Sequence, residues 1–398
     1  MGAPVEPLAM QLLMIHKQVL AFLVFGIFNI GLNEFNPWAL KGGQFPGFAF
    51  PAFYGMFHML FSASSALIIM HCFQKPEAGV PNVAQLMRYI DGLAVIGLCN
   101  ALNVVLNNLS LTLVSLFVNQ VIKSSSPLPT IVFENLLAGK RFSYAVIISV
   151  LCICVGAIMA PYFKIIHESD GEKQTSIYGT LAVIVAMLAS SLKPVVAMVM
   201  MAGTPDRPKL EPTCVLFYDC SLSFCFMFIY WLCSYERADS IAYLTNNPRD
   251  APYLEGHNAT LIGLGIILAS STMAFIFNLA TYYYVLLADA LGSTIGSIGL
   301  KVLLITIGAI QAGVNDPISI CGIVVVALSI SSYAYFTYRD RMAKEVAAAA
   351  SSEDHQPIAK SDRAHHHGKE GGVSPTMIAS AGSHPSENTP LKPQYKGP

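Results

Sequence analysis

The sequence has 398 residues, of which 54% are hydrophobic and only 12% carry a charged side chain. A typical soluble domain has about 25% charged residues, so this composition argues against a soluble protein. The 23 Lys and Arg nearly balance the 24 Asp and Glu, which excludes the strongly basic surface expected of a nucleic-acid-binding protein. Long uncharged stretches separated by short charged loops are typical of an integral membrane protein.

Apolar stretches recur along the chain, and each is close to the roughly 20 residues that a helix needs to cross a bilayer. We therefore predict an all-α polytopic membrane protein with about ten transmembrane helices over residues 17–340. A short N-terminus, 1–16, precedes them and is too short for an organellar transit peptide. The polar tail, 341–398, has a composition that predicts disorder. The predicted spans are 18–33, 47–70, 92–107, 111–136, 142–160, 176–203, 213–233, 260–286, 289–309 and 317–337.

The positive charges in the loops predict the orientation of the chain. An even number of spans puts both termini on one side of the membrane. The loops on that side carry more Lys and Arg, and the positive-inside rule then places both termini in the cytosol. The longest predicted lumenal loop contains Asn258-Ala259-Thr260, a glycosylation acceptor sequence, which agrees with this orientation.

Asparagines form stripes on two of the predicted spans. Asn29 and Asn33 lie on the first span, and Asn100, Asn103 and Asn107 lie on the third. Hydrogen bonds between helices account for such stripes, and so does the lining of a cavity.

The fourth predicted span contains the first intramembrane cation, Lys123. It lies about 12 residues from the start of the span, or about 18 Å at 1.5 Å per residue, close to the middle of the bilayer. An ionisable group there costs about 2.5–3.5 kcal/mol on insertion scales and usually marks a functional site. Pro127 and Pro129 interrupt the helix below it. The spacing predicts one continuous polar face made of Ser115, Asn119, Lys123, Ser126, Thr130 and Glu134.

Three further polar residues lie in the sixth, seventh and eighth predicted spans. Lys193 precedes Pro194 near the cytosolic end of its span, where it could snorkel to the surface or bind substrate. Asp219 could pair with an intramembrane lysine. Tyr282 belongs to a Tyr triplet that could supply a ring for stacking on a base or sugar, or form part of an interfacial aromatic belt.

The ninth predicted span repeats the pattern of the fourth. Lys301 lies about 12 residues from the start of its span, and Thr294 and Ser297 share its face in a Gly-rich stretch. Asp219 could pair with Lys301 or with Lys123. Five spans in each half give the halves opposite topology, which indicates an inverted repeat with a site near the midplane. Two cations in one cavity repel each other unless an anion binds between them, so a phosphate or diphosphate substrate is the simplest inference.

The residues around both lysines resemble a known family. The run Asn100-Ala101-Leu102-Asn103 leads on to Asn119-Gln120-Val121-Ile122-Lys123-Ser124. This run is similar to the third and fourth spans of the triose-phosphate translocator and nucleotide-sugar transporter group of the drug/metabolite transporter superfamily. Phe50-Pro51-Ala52-Phe53, Ala274-Phe275-Ile276-Phe277-Asn278 and the Lys301 segment resemble its second, eighth and ninth spans.

The resemblance implies a ten-helix inverted repeat, with halves at about 17–160 and 176–340, that works as an antiporter by alternating access. It implies that Lys123 and Lys301 bind substrate phosphate. No enzymatic activity, cofactor or metal site is expected. Plastid sugar-phosphate members have Arg after the second lysine, where this chain has Val302, and the Gly-Ala-Leu-Asn-Lys motif of GDP-mannose carriers is here Gly299-Leu300-Lys301. The candidate substrate-binding residues are Lys123, Lys301, Asn119, Asn278, Ser297, Thr130, Tyr282 and Lys193.

These features favour a Golgi or ER antiporter that exchanges a nucleotide sugar for a nucleoside monophosphate. The partners expected are a small phosphorylated anion, its counter-substrate and the lipid bilayer, with a homodimer as a further possibility that the resemblance suggests. Two alternatives stay open at this point. One is a sugar-phosphate or phosphoenolpyruvate/phosphate exchanger with the same fold, and the other is a non-transporting membrane receptor or scaffold.

Overall fold

The structure, a computed structural model, describes residues 8–40, 45–73, 87–114, 116–162, 176–203, 207–245, 258–311 and 316–353. Within these ranges the protein is helical and contains no strand. The helices, numbered in chain order, are α1 Leu8–Ala39, α2 Pro51–Cys72, α3 Ile90–Leu113, α4 Leu116–Ser124, α5 Pro127–Ala138, α6 Tyr144–Met159, α7 Ile177–Ala202, α8 Pro212–Cys233, α9 Glu236–Leu244, α10 Ala259–Gln311 and α11 Pro317–Glu353.

Each predicted apolar stretch coincides largely with helix, and seven of the described helices are long and apolar enough to cross a membrane. The prediction of an all-helical polytopic membrane protein is therefore confirmed. The count of ten spans stays a prediction, because α6 has only 16 residues and two predicted spans share the single long helix α10. The short helix α9 lies between predicted spans and was not predicted.

The fourth predicted span is divided in two. Helix α4 ends at Ser124, and α5 begins at Pro127 after a turn. Proline lacks the amide hydrogen that the helical ladder needs, but it fits the first turn of a new helix. Ser115 lies outside the described residues. The expectation of one continuous polar face is wrong for the part from Asn119 to Glu134, since the helix is interrupted between Ser124 and Pro127.

Helix α10 contains both the eighth and the ninth predicted spans. The two segments, 259–288 and 290–311, meet at Asp289, whose φ of 68° and ψ of 175° are not helical. Its side-chain Oδ1 accepts a hydrogen bond of 2.8 Å from the backbone N–H of Gly292, so Asp289 caps the second segment. The predicted boundary between these spans, at Asp289, coincides with the kink.

Four apolar clusters hold the helices together. One joins α2, α3, α7, α8 and α10, and a second joins the end of α1 to α2, α8, α9 and α10. A third packs α6 against the second segment of α10 and α11, and the fourth joins α1 to α10. Large apolar side chains such as Ile27, Ile148, Leu264 and Leu328 are exposed on the outside, as lipid contact requires.

The chain divides into a unit of residues 6–341 and a second unit of residues 1–5 and 342–398. The first contains α1 to α10 and most of α11. The described part of the second is the end of α11, and most of the predicted tail, from 354, lies outside the described residues. The predicted domain boundaries and the inverted repeat stay predictions.

Candidate functional site

Lys123 and Lys301 line the same cleft, although they lie on helices from opposite halves of the chain. The cleft has a volume of about 340 Å³, its mouth included. The other lining residues are Ser124, Ala157, Pro161, Ile298, Val302 and Ile305.

Lys123 is held at the broken end of α4. Its ammonium group donates a short hydrogen bond to Oδ1 of Asn107 on α3, which fixes the direction of the side chain. The side chain remains partly accessible. A neutral partner orients the amine without cancelling its charge, so Lys123 can still bind an anion.

Lys301 approaches the cleft from the second segment of α10. Protein atoms surround this lysine densely, yet its side chain is solvent-accessible. Both observations are expected of a side chain that lines an internal cleft. Lys301 is near enough to Lys123 for their positive charges to repel each other. The site therefore has two cations, which a phosphate or diphosphate group could bridge.

A second polar cluster lies outside the lining of this cleft, and we call it the Asp219 cluster. Nζ of Lys193 lies 2.7 Å from Oδ2 of Asp219. The hydroxyl of Tyr282 donates to the same oxygen at 2.8 Å. Ser223 donates to Oδ1 of Asp219 at 3.2 Å and accepts from Nδ2 of Asn100 at 2.9 Å. The expectation that Asp219 pairs with Lys123 or Lys301 is wrong, because its partner is Lys193.

Residues 44–310 match the UAA transporter family, and this match covers well over half of the chain. The chain belongs to the UAA transporter family. The family assignment confirms the transporter class that the resemblance suggested, and it confirms that this protein is not an enzyme.

Curated relatives of this UAA transporter come from Arabidopsis thaliana. A probable sugar phosphate/phosphate translocator is 25% identical over 301 residues, which is 74% of each chain. UDP-galactose transporter 1 is 24% identical over 269 residues, or 68% of this chain and 71% of the relative. A GDP-mannose transporter is 22% identical over 68% of this chain and 70% of the relative. These relatives include both sugar-phosphate and nucleotide-sugar carriers.

The other candidate residues of this UAA transporter are not among the residues that line the cleft. Asn119 is buried and donates from Nδ2 to Oγ of Ser110 at 2.8 Å, so it joins α4 to α3. Thr130 is buried and donates to the carbonyl of Ser126 at 2.9 Å. Asn278 and Ser297 on α10 are half-buried. Contact of these four residues with substrate stays a prediction, as it does for Lys193 and Tyr282.

A group of four charged residues, which we call the ion-pair cluster, lies where α5 ends and the second segment of α10 begins. Nζ of Lys140 lies 3.1 Å from Oε2 of Glu134 and 3.2 Å from Oδ2 of Asp289. Arg341 on α11 lies 3.5 Å from the same oxygen of Asp289. Burial acts to lower the pKa of Lys140, but the carboxylates of Asp289 and Glu134 outweigh it and raise this pKa.

Sequence reasoning missed several members of the site. Ser124 adjoins Lys123 in the matched motif and could have been included on that ground. Pro161 lies just past the predicted fifth span. The ion-pair cluster was missed because Lys140 counted only as a loop charge and Asp289 only as the start of a span. Its members come from three separate helices and the loop after α5, and spacing along one helix gives no sign of their contact.

Proposed function

We propose that this protein is an endomembrane antiporter that exchanges a nucleotide sugar for a nucleoside monophosphate. The observation that carries the proposal is the cleft that Lys123 and Lys301 share. The family and the transporters among the relatives support the transporter class. Ammonium groups bind phosphate oxygens through charge-assisted hydrogen bonds.

The charge of the cleft fits both proposed substrates. A nucleotide sugar carries two negative charges on its diphosphate, and a phosphate monoester carries about 1.5–2 near pH 7. Either one neutralises two ammonium groups. Without an anion the two lysines repel each other in a medium of low dielectric constant, and rearrangement of the helices around them is then unfavourable. Exchange, rather than one-way transport, follows from this requirement.

The proposed cycle uses both halves of the protein. Lys123 comes from α4 and Lys301 from the second segment of α10, so an anion between them draws the halves together. The cleft would then face each side of the membrane alternately. We place the protein in the Golgi or ER, with both termini in the cytosol, from the charge of the loops and the kinds of relatives.

Transport by the purified protein in liposomes tests the proposal. Liposomes are loaded separately with UMP, GMP, CMP, AMP or inorganic phosphate, and labelled nucleotide sugars and sugar phosphates are offered outside. Wild type is compared with Lys123→Ala, Lys301→Ala and Lys209→Ala, the last being the same change at an exposed loop lysine. A charged hydrogen bond contributes about 1.5–3 kcal/mol, so each cleft variant should lose about 10- to 150-fold in uptake.

The outcomes separate the candidate functions. Uptake that depends on internal nucleoside monophosphate, and that is lost in both cleft variants but kept in Lys209→Ala, supports the proposal. Phosphate-driven uptake of small sugar phosphates would instead support the second candidate, which the likeness to a probable sugar phosphate/phosphate translocator favours. Transport that is unaffected in both cleft variants would remove the role assigned to the two lysines.

A further inference from the structure

The ion-pair cluster joins the two halves of the protein. Glu134 and Lys140 come from the end of α5 and the loop after it, whereas Asp289 and Arg341 come from α10 and α11. Glu134 has no solvent-exposed surface, and its Oε1 also accepts a hydrogen bond of 2.6 Å from the backbone N–H of Leu291. The connection is therefore made by ion pairs and by a hydrogen bond to the helix backbone.

The ion-pair cluster lies at the start of the second segment of α10, and the cleft begins near the middle of that segment. Lys301 follows Asp289 by 12 residues on α10, or about 18 Å along the axis. On α6, the cleft residue Ala157 follows the helix start at Tyr144 by 13 residues, or about 20 Å. Pro161, which also lines the cleft, is farther still from Tyr144.

Packed apolar side chains lie between the ion-pair cluster and the cleft. Leu291, Ile295 and Ile298 of α10 belong to one buried cluster with Val150 and Ile153 of α6, and Leu128 and Ile131 of α5 pack against it. The cleft extends from Lys123 and Lys301 toward the end of the bundle where Pro161 lies. At the end that holds the ion-pair cluster, the halves are therefore joined by packed apolar side chains as well as by ion pairs.

The backbone of Asp289 supplies a second, independent observation. Its φ of 68° with ψ of 175° lies in a region that residues other than glycine rarely occupy. Such a conformation costs about 1–3 kcal/mol and persists only where the surroundings enforce it. Here the enforcing contacts are the cap on Gly292 and the ion pairs to Lys140 and Arg341. Loss of these contacts would free the kink to relax.

We propose that the ion-pair cluster of Glu134, Lys140, Asp289 and Arg341 is a gate that closes the substrate pathway at the end opposite the cleft mouth. This inference rests on the proposed transport function. The ion pairs hold α5 and the second segment of α10 together while the cleft is accessible from the other end. When they separate, the kink at Asp289 changes its backbone angles and the pathway opens at the cluster end, while the Pro161 end closes.

Hydrogen exchange measured by mass spectrometry on the full-length protein in lipid nanodiscs tests the gate without any substrate. Asp289→Asn removes the charge and keeps the size of the side chain. We expect amides in 288–296, including Leu291, to exchange about 5- to 150-fold faster, the range of typical coupling energies. We also expect slower exchange in 155–162, at the far end of the cleft, because opening one end closes the other.

Three variants complete the experiment. Asp289→Glu keeps the carboxylate but lengthens the side chain that caps Gly292, so it should change exchange less than Asp289→Asn does. Lys140→Gln removes the shared cation and should reproduce the change, which keeps the test informative if Asp289→Asn fails to fold. Asp91→Asn is the matched control, because it breaks an ion pair of 3.1 Å with Arg207 whose side chains are 63% and 44% exposed. It should leave both segments unchanged.

Slower exchange in 155–162 is the result that distinguishes a gate, which links both ends of the pathway, from ion pairs that only hold α5 and α10 together locally. If the exchange rate rose only in 288–296 and stayed unchanged in 155–162, in both Asp289→Asn and Lys140→Gln, the gate would be overturned. The same result would leave the proposed substrates untouched, since those are tested by uptake. Conversely, reciprocal exchange in a protein that transports none of the offered nucleotide sugars would support the gate and count against the proposed substrate.

Discussion

The ammonium group of Lys193 lies 2.7 Å from the carboxylate of Asp219, and this pair is inside the helical bundle. Asp219 is 1% exposed, whereas the side chain of Lys193 is 21% exposed. The hydroxyl of Tyr282 donates to the same carboxylate, and Nζ of Lys193 lies 5.7 Å from the centre of the Tyr282 ring. The charge of Lys193 is thus already balanced within the protein, whereas no carboxylate among the described residues forms an ion pair with Lys123 or Lys301.

This asymmetry predicts unequal effects when either partner is neutralised. Lys193→Gln leaves a carboxylate buried without its cation, and breaking a buried pair in this way costs about 3–5 kcal/mol. Asp219→Asn leaves a lysine that can still reach solvent, so its cost should be smaller. The apparent melting temperature in detergent should therefore fall further for Lys193→Gln than for Asp219→Asn.

The double variant is the control for this prediction. Lys193→Gln with Asp219→Asn removes both charges, and the amides can still hydrogen-bond to each other and to Tyr282. Its melting temperature should lie above that of Lys193→Gln alone. A double variant less stable than either single variant would show that the ion pair is not the main interaction in the Asp219 cluster.

Asn107 supplies a prediction about the cleft itself. Its Oδ1 accepts the hydrogen bond from Lys123, so Asn107→Asp would put a carboxylate on the ammonium group with little change in shape. The new anion should compete with substrate phosphate and raise the KM for an anionic substrate by more than about tenfold, a change of 1.4 kcal/mol in binding. Concentration-dependent uptake into liposomes measures this KM.

Asn100→Asp is a useful comparison for Asn107→Asp. Asn100 lies on the same helix but bonds to Ser223, not to a lysine of the cleft. A similar rise in KM for both variants would mean that a negative charge anywhere on α3 weakens binding. A rise confined to Asn107→Asp would support the assignment of Lys123 as a substrate ligand.

Much of the architecture could be predicted because the length of an apolar stretch can be read from each segment of the sequence by itself. Each apolar stretch coincides largely with helix, and the depth of Lys123 and Lys301 in their spans correctly placed both on one cleft. The expectation about Asp219 was wrong because its partner depends on a contact between helices. The partner of Asp219 is set by how the side chains of α7 and α8 meet. The break after Lys123 has a local cause, Pro127, and only the expectation that the polar face continues through it was wrong.

The crossing of α6 and α11 gives a prediction about stability. A Cβ added at Gly322 would lie 2.5 Å from the backbone nitrogen of Ala160, and one added at Gly156 would lie 2.8 Å from the carbonyl oxygen of Gly322. Backbone atoms cannot move aside as a flexible side chain can. Gly322→Ala should therefore force the helices apart and destabilise the protein by about 1–3 kcal/mol, as overpacking does.

Gly265→Ala is the matched control for this crossing. Gly265 also lies in a helix, α10, but an added Cβ would meet no atom within 4 Å. Alanine is a better helix former than glycine by about 1 kcal/mol, so Gly265→Ala should leave the melting temperature unchanged or raise it. Equal losses in both variants would argue against the close approach of α6 and α11.

Glu236, on the connecting helix α9, gives a prediction about pH. Its Oε2 accepts a hydrogen bond of 2.9 Å from the backbone N–H of Ala52 and a longer one of 3.4 Å from that of Phe53, at the start of α2. Burial raises the pKa of Glu236, and these two hydrogen bonds offset the rise only in part. The folded protein therefore favours the protonated carboxyl more than the unfolded chain does.

The sign of the pH effect follows from this raised pKa. The contribution of Glu236 to stability is fully present below the unfolded pKa of about 4.3 and is lost as pH rises through the folded pKa. Glu236→Gln keeps an acceptor for the two backbone N–H groups and carries no charge. Its melting temperature should exceed that of wild type at pH 7, and the difference should shrink as the pH falls toward 4.5.

Two further variants separate charge from hydrogen bonding at Glu236. Glu236→Ala leaves both backbone N–H groups without this acceptor, and it should lower stability by about 1–3 kcal/mol at every pH. Glu211→Gln makes the same chemical change at an exposed position before α8 and should show no comparable gain. If wild type were instead more stable than Glu236→Gln at pH 7, and lost that advantage on acidification, the carboxylate would be stabilising and its folded pKa lowered. That result would mean that the hydrogen bonds from Ala52 and Phe53 outweigh the cost of burial.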